Sequence, residues 1–255
     1  MGLAKLVSGV AAEAIAKKGH FSLALSGGSL VNQITGLLQL EGADKPDFSK
    51  WHIFYADERV VSHSDPESNH GQMRRSFLSK AGIPDTQVHA IQENLSPELA
   101  ARAYEGVLLN LPKTVCPKNP RGVPQMDLIL LGIGPDGHTA SLFPNRPQTA
   151  EKNKFVVEVL DSPKPPSERI TMTFPLINAA ANVFIVAMGI AKAEVVQRVM
   201  EVQSLPGALP AQLVRPHPGH LRWVLDFESA SEINPELWDS ERAHPRSEIP
   251  KKAKA

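Results

Sequence analysis

A histidine two residues after an aspartate is the feature of this chain best suited to moving a proton. It lies in the run Leu131-Gly132-Ile133-Gly134-Pro135-Asp136-Gly137-His138-Thr139-Ala140-Ser141-Leu142-Phe143-Pro144. Imidazole is the one side chain whose unperturbed pKa suits proton transfer near neutral pH. A nearby carboxylate can orient the ring and stabilise its protonated form. Gly132, Gly134 and Gly137 leave bare backbone that a ligand can approach closely. A histidine that merely caps a helix or fills a polar pocket would leave these glycines and Asp136 unexplained. The same glycines satisfy the dinucleotide pattern G-x-G-x-x-G, with Glu158 near the distance of a ribose-binding acid. That match fails because Pro144 cuts the segment within about two turns, and Glu158 sits inside strand-like sequence.

Two further segments carry polar groups at the ends of apolar runs. Ser26-Gly27-Gly28-Ser29 follows Phe21–Leu25 and precedes a helical pattern beginning at Leu30. A tight glycine turn into a helix aims free N–H groups and a partial positive charge at the turn, and the serines add hydroxyl donors. That arrangement holds a phosphate without a metal. An ordinary strand-to-helix turn capped by Ser29 is the alternative. No Walker lysine follows the glycines, so a nucleoside triphosphate loop is not supported. Asp57-Glu58-Arg59 follows Trp51–Tyr55 and Ala56. It reads either as a solvated loop or as an arginine that meets phosphate or oxyanion oxygens, with carboxylates that hold it or bind sugar hydroxyls. Arg169 and Lys192 are further cations near strand ends, each expected to precede or open a helix, and each open to the reading of a surface charge. His63, His70, His217 and His220 lie in loops without a convincing third-ligand pattern, so no metal site is expected.

These groups must be positioned by the elements around them. Short apolar runs at Phe21–Leu25, Trp51–Tyr55, Met126–Leu131, Phe155–Leu160, Val183–Met188 and Leu221–Leu225 alternate with helix-like stretches such as Leu30–Leu40, Ser96–Leu111 and Ala191–Gln203. Met1 to His20 reads as an amphipathic helix, and His138 as projecting from the start of a short helix. The alternation predicts an α/β fold: a mainly parallel open sheet with helices on both faces, whose working residues gather past the carboxyl ends of the strands. Pro/Lys-rich punctuation at Pro112–Pro124 and Ser162–Pro166 reads as surface loops. One domain over residues 1–231 is expected, followed by a charged, flexible tail over 232–255.

Composition narrows the class. Lysine plus arginine (27) equal aspartate plus glutamate (27), so the chain lacks the basic footprint of a nucleic-acid binder. Cys116 is the single cysteine, which excludes an intramolecular disulfide and a cysteine-rich zinc site and fits a reducing compartment. No apolar run approaches the roughly 20 residues of a membrane span, and the N-terminal segment lacks the apolar core of a signal peptide. A cytoplasmic location is expected, with a plastid as the alternative should a targeting segment precede this sequence.

Ser26-Gly27-Gly28-Ser29, Asp57-Glu58-Arg59, Ser68-Asn69, the Gly132–Pro144 run, Arg169-Ile170-Thr171 and Gly189-x-x-Lys192 occur in that order. Together they resemble the 6-phosphogluconolactonase family, within the wider group that includes glucosamine-6-phosphate deaminases. Asp161-Ser162-Pro163-Lys164-Pro165-Pro166 and Pro216-His217-x-Gly219 resemble its eukaryotic members. The resemblance spans roughly residues 10 to 228 and implies a Rossmann-like single domain of the NagB/RpiA type. It implies hydrolysis of 6-phospho-D-glucono-1,5-lactone to 6-phospho-D-gluconate, the second step of the oxidative pentose phosphate pathway, without a cofactor. His138 would be the base that activates water, supported by Asp136, with Arg59 near the substrate's charged oxygens. Ser26, Gly27, Gly28, Ser29, Asp57, Arg169 and Lys192 would bind substrate and phosphate. The expected partner is a phosphorylated sugar lactone, with no nucleic acid or membrane, and a monomer or weak homodimer as the assembly. The family usually carries a further strand and part of a helix before the position of Ala11, and often an aromatic or small residue where His70 stands. Rival readings are an amino-sugar phosphate isomerase/deaminase, which needs an additional acid after the histidine turn, and a non-catalytic sugar-phosphate sensor, which leaves Asp136 and His138 unused.

Overall fold

The computed structural model describes residues 2–202 and 208–237. Five strands, β1 (Phe21–Leu25), β2 (Trp51–Tyr55), β4 (Leu128–Gly132), β7 (Asn182–Ala187) and β8 (His220–Leu225), form one parallel sheet in the order β2-β1-β4-β7-β8. Three shorter strands, β3 (Asp57–Arg59), β5 (Val156–Val159) and β6 (Arg169–Met172), form a separate antiparallel sheet in the order β3-β6-β5. The apolar run at Phe155–Leu160 is therefore a strand, but of the second sheet and not of the parallel one. Asp57–Arg59 is a strand and not a solvated loop, because its ladder to Arg169–Thr171 supplies the backbone partners that three charged residues alone do not advertise.

Alternation along the central strands sends side chains into two cores. Leu23 and Leu25 of β1, with Leu128 and Leu130 of β4, face one core; Ala24, Ile129 and Leu131 face the other. The first core is closed by α1 (Leu3–Lys18), α2 (Ser29–Ile34) and a helical run made of α3 (Asn69–Met73), a π-helical turn (Arg74–Leu78) and α4 (Ser79–Ala81). Buried Leu3, Val7, Ala11 and Ala14 give α1 its inward stripe, and Lys17 and Lys18 sit at its carboxyl end, where the helix dipole favours cations. The second core is closed by α5 (Pro97–Leu109), α6 (Phe174–Ile177) and α7 (Ala193–Glu201). Ser96 caps α5 by accepting from Leu99 N.

Helices are shorter than the sequence pattern predicts. The run from Leu30 to Leu40 is α2 followed by a 3-10 turn at Thr35–Gln39, and the run from Ala191 is a 3-10 turn at Ile190–Lys192 leading into α7. Gln203 and residues 238–255, most of the expected tail, lie outside the described residues. Among the described residues no helix is long and apolar enough to cross a membrane.

Every strand of the larger sheet runs the same way, so Ser26, Ala56, Ile133 and Met188 leave it at one edge. The second sheet hangs from that edge. Ala56 N donates to Leu25 O at 2.9 Å, and Met172 N donates to Ala56 O at 2.7 Å, so the chain passes from β2 into β3 within one residue.

Candidate active site

His138 stands on the turn that follows β4. The segment after it is not a helix: Gly137 and Ala140 both take positive φ, and a succession of turns runs to Pro144. Gly134 N donates to His138 O at 2.9 Å, folding the turn back on itself. Inside that fold Asp136 Oδ1 lies 2.5 Å from His138 Nδ1 and also accepts from His138 N at 3.3 Å. A carboxylate only accepts, so Nδ1 carries the ring proton and Nε2 keeps its lone pair. A Cβ on Gly134 would fall 2.0 Å from His138 Nδ1 and 2.8 Å from Asp136 Oδ1, which is why this position carries no side chain. Phe143 packs its ring 4.7 Å from the imidazole.

Burial lowers the His138 pKa below the ordinary 6.5, and the charge of Lys164 lowers it further; Asp136 and Asp57 pull the other way without winning. Burial alone would raise Asp136, but the hydrogen bond and charge of His138 bring it below its usual value. The pair is thus a neutral imidazole held by an ionised carboxylate.

Lys192 Nζ donates to Ile133 O at 2.7 Å, beside the same turn. Burial and then the charge of Lys164 lower its pKa, against a weaker pull from Asp136. Lys192 lies in the 3-10 turn that leads into α7, as its sequence position implied. Arg169 is different. It opens β6, pairing with β3 and β5, and the short helix α6 follows that strand at Phe174. The residue is 4 % exposed, and its guanidinium donates from Nε to Pro166 O, from Nη2 to Lys164 O and from Nη1 to Ser141 Oγ.

Ser141 ties the turn after β4 to the polar residues of the second sheet. Its hydroxyl donates to Asp57 Oδ2 at 2.7 Å and accepts from Arg169 at 3.3 Å. Asp57 Oδ1 is buried without a partner. Glu58 is fully buried and accepts from the backbone N–H groups of Arg59, Asn69 and His70, each at 2.7 Å. Burial pushes its pKa up to about 7, the three backbone donors opposing the rise. Glu58 therefore anchors the start of α3 and holds Arg59 only at its backbone, not at its guanidinium. Arg59 instead reaches Glu67, through both its carbonyl and its carboxylate.

Asn69, buried at the start of α3, donates from Nδ2 to Asp57 O at 2.8 Å. Its Oδ1 has no partner, and a Cβ on Gly27 would lie 1.8 Å from it. Asn69 thus stands between the Ser26–Ser29 loop and the backbone of Asp57. Ser26 Oγ is likewise buried and unpartnered, and Gly28, not Ser29, is the N-cap of α2. His70 turns inward, its Nδ1 2.8 Å from Tyr55 Oη. Among the described residues no group of three or more His, Cys, Asp or Glu side chains is placed to hold a metal ion.

One edge of the parallel sheet thus gathers Ser26–Ser29, Asp57, Arg59, Asp136, His138, Arg169 and Lys192. Sequence reasoning gave no role to Ser141, Asn69, Phe143 or Lys164, although all four stand inside quoted motifs. The partner of the Ser141 hydroxyl, Asp57, lies 84 residues away, so only the folded geometry shows what that serine touches.

The chain matches the family model described as "Glucosamine-6-phosphate isomerases/6-phosphogluconolactonase" over residues 1–223. It is 42 % identical over 235 residues to "Probable 6-phosphogluconolactonase 3, chloroplastic" of Oryza sativa subsp. indica, covering 91 % of this chain and 72 % of that protein. To "Probable 6-phosphogluconolactonase 2" of the same organism it is 40 % identical over 248 residues, covering 95 % and 89 %. Its structure resembles that of 6-phosphogluconolactonase from Leishmania guyanensis with a TM-score of 0.72 and 27 % identity, covering 90 % of this chain and 95 % of that one.

Proposed function

Because the chain belongs to the glucosamine-6-phosphate isomerase/6-phosphogluconolactonase family, we propose that it hydrolyses 6-phospho-D-glucono-1,5-lactone to 6-phospho-D-gluconate. The observation that carries this reading is the Asp136–His138 pair, whose free Nε2 is a base at the carboxyl edge of the sheet. Neutral His138 takes a proton from water as the water oxygen bonds to the lactone carbonyl carbon. The carbonyl electrons move onto its oxygen and return as the ring C–O bond breaks. Protonated His138 then gives the proton to the leaving ring oxygen, and Asp136 stabilises the imidazolium between the two transfers. A positioned base contributes on the order of 10²–10⁴-fold.

Arg59 supplies positive charge toward the developing oxyanion. The Ser26–Ser29 loop and Lys192 bind the phosphate, with Arg169 adding its charge from behind. The unpartnered Asp57 Oδ1 accepts from a sugar hydroxyl. The residues that follow the histidine turn, Ser141-Leu142-Phe143-Pro144, offer no second acid for an amino-sugar deaminase, which favours the lactonase within the family.

Freshly generated phosphorylated lactone should release acid with the protein present, while glucosamine-6-phosphate should release no ammonia. Ammonia release without lactone turnover would reverse the assignment.

A further inference from the structure

The loop over residues 162–166 is tied to the protein at its backbone and leaves one charge unused. Arg169 Nη2 donates to Lys164 O at 2.7 Å, Arg169 Nε to Pro166 O at 2.9 Å, and Ser162 Oγ to Lys164 O at 2.9 Å. Lys164 N is drawn to the same serine hydroxyl at 3.3 Å. Lys164 itself is exposed, and its ammonium has no hydrogen-bond or ion-pair partner among the described residues. The clamp also fixes where this lysine stands. The Arg169 guanidinium lies 5.9 Å from the Phe143 ring, which packs 4.7 Å from His138.

We propose that Lys164 is a further substrate-binding residue, an ammonium that closes on the substrate's phosphate opposite Lys192, while Arg169 acts as the positioning residue that holds its loop. The inference rests on the lactonase reading and deepens it.

The charge of Lys164 lowers the pKa of Lys192 and of His138. Like charges repel, and Asp136 is the carboxylate that opposes the lowering at Lys192. An anion arriving between the two lysines removes that repulsion, and a phosphate does so while leaving the imidazole free for the other end of the sugar. A long, flexible lysine on a fixed backbone suits this task, since it can reach for the anion without moving the turn that bears His138. The buried guanidinium of Arg169, bound through three nitrogens, cannot do the same.

Lys164→Met and Lys164→Arg, assayed on phosphorylated and unphosphorylated glucono-1,5-lactone, test the proposal. Lys164→Met should raise KM for the phosphorylated lactone by about ten- to a hundredfold, with a smaller change in kcat. Selectivity for the phosphorylated over the unphosphorylated lactone should fall by a similar factor, and Lys164→Arg should restore most of it. Equal losses on both lactones would mean that the lysine only shapes the loop, and an unchanged KM would remove it from the site. Calorimetric binding of 6-phosphogluconate against gluconate reads the same preference without turnover. A protein that binds the phosphorylated acid through Lys164 yet hydrolyses nothing would sink the lactonase reading and leave this one standing.

Discussion

Asp136 Oδ1 lies 2.5 Å from His138 Nδ1, and this contact leaves Nε2 as the ring's basic nitrogen. Truncating the ring should therefore abolish chemistry and spare recognition. His138→Ala should lower lactone hydrolysis by on the order of 10²–10⁴-fold while 6-phosphogluconate still binds. Steady-state assays beside calorimetry decide it, and undiminished turnover would remove the mechanism.

The rate should depend on pH through the same ring. His138 acts when neutral, and burial sets its pKa below the ordinary 6.5. Activity should fall as pH drops through that lowered value and level off above it. Asp136 supports the protonated ring, so Asp136→Asn should move the acid limb to still lower pH. It should also cost on the order of 10²-fold or more at the plateau, since the ring loses the partner that selects its tautomer. A limb centred above 6.5 in the parent protein would contradict the geometry.

Gly134 is a sharper probe than either charged residue. Alanine there puts a carbon 2.0 Å from His138 Nδ1 and forces the imidazole away from Asp136. The backbone at this position does not take positive φ, so the fold should tolerate the change. Gly134→Ala should lose on the order of 100-fold in kcat with its melting temperature little altered, the cost of misplacing a reacting group by about 1 Å. Full activity in a folded variant would show that the turn can give.

Glu58 should make the protein's stability depend on pH. Its folded pKa of about 7 stands above the ordinary 4.5, so the folded chain holds this proton more tightly than the unfolded chain does. The resulting stabilisation is full below 4.5 and is lost as pH rises through about 7, at about 1.4 kcal/mol per unit of pKa difference. Denaturant unfolding at pH 5 and pH 8 should show the parent losing stability relative to Glu58→Gln as pH rises. A difference between the two proteins that does not change with pH would refute this.

Much of this was legible in the sequence, because the central strands are buried on both faces and their apolar runs end in glycine or charge. Phe21–Leu25 and Trp51–Tyr55 fall where the pattern puts them. The Asp136–His138 pairing is also local, two residues apart, and so was visible as a spacing. The second sheet was not. Asp57–Arg59 looks like solvated loop because its burial depends on distant groups: Ser141 for Asp57, and the N–H groups that open α3 for Glu58. Arg169-Ile170-Thr171-Met172 shows its strand character only once β3 and β5 lie on either side of it.

That small antiparallel sheet bears on how the molecule is made. Its inner ladder joins Asp57 to Thr171, partners about 110 residues apart, and closing so long a loop is entropically slow. On dilution from denaturant, helical signal should return before turnover does, and a nascent chain should stay inert until the ribosome has released everything through β7 and Lys192. Enzymatic recovery would then clock the last docking event and not the collapse that precedes it.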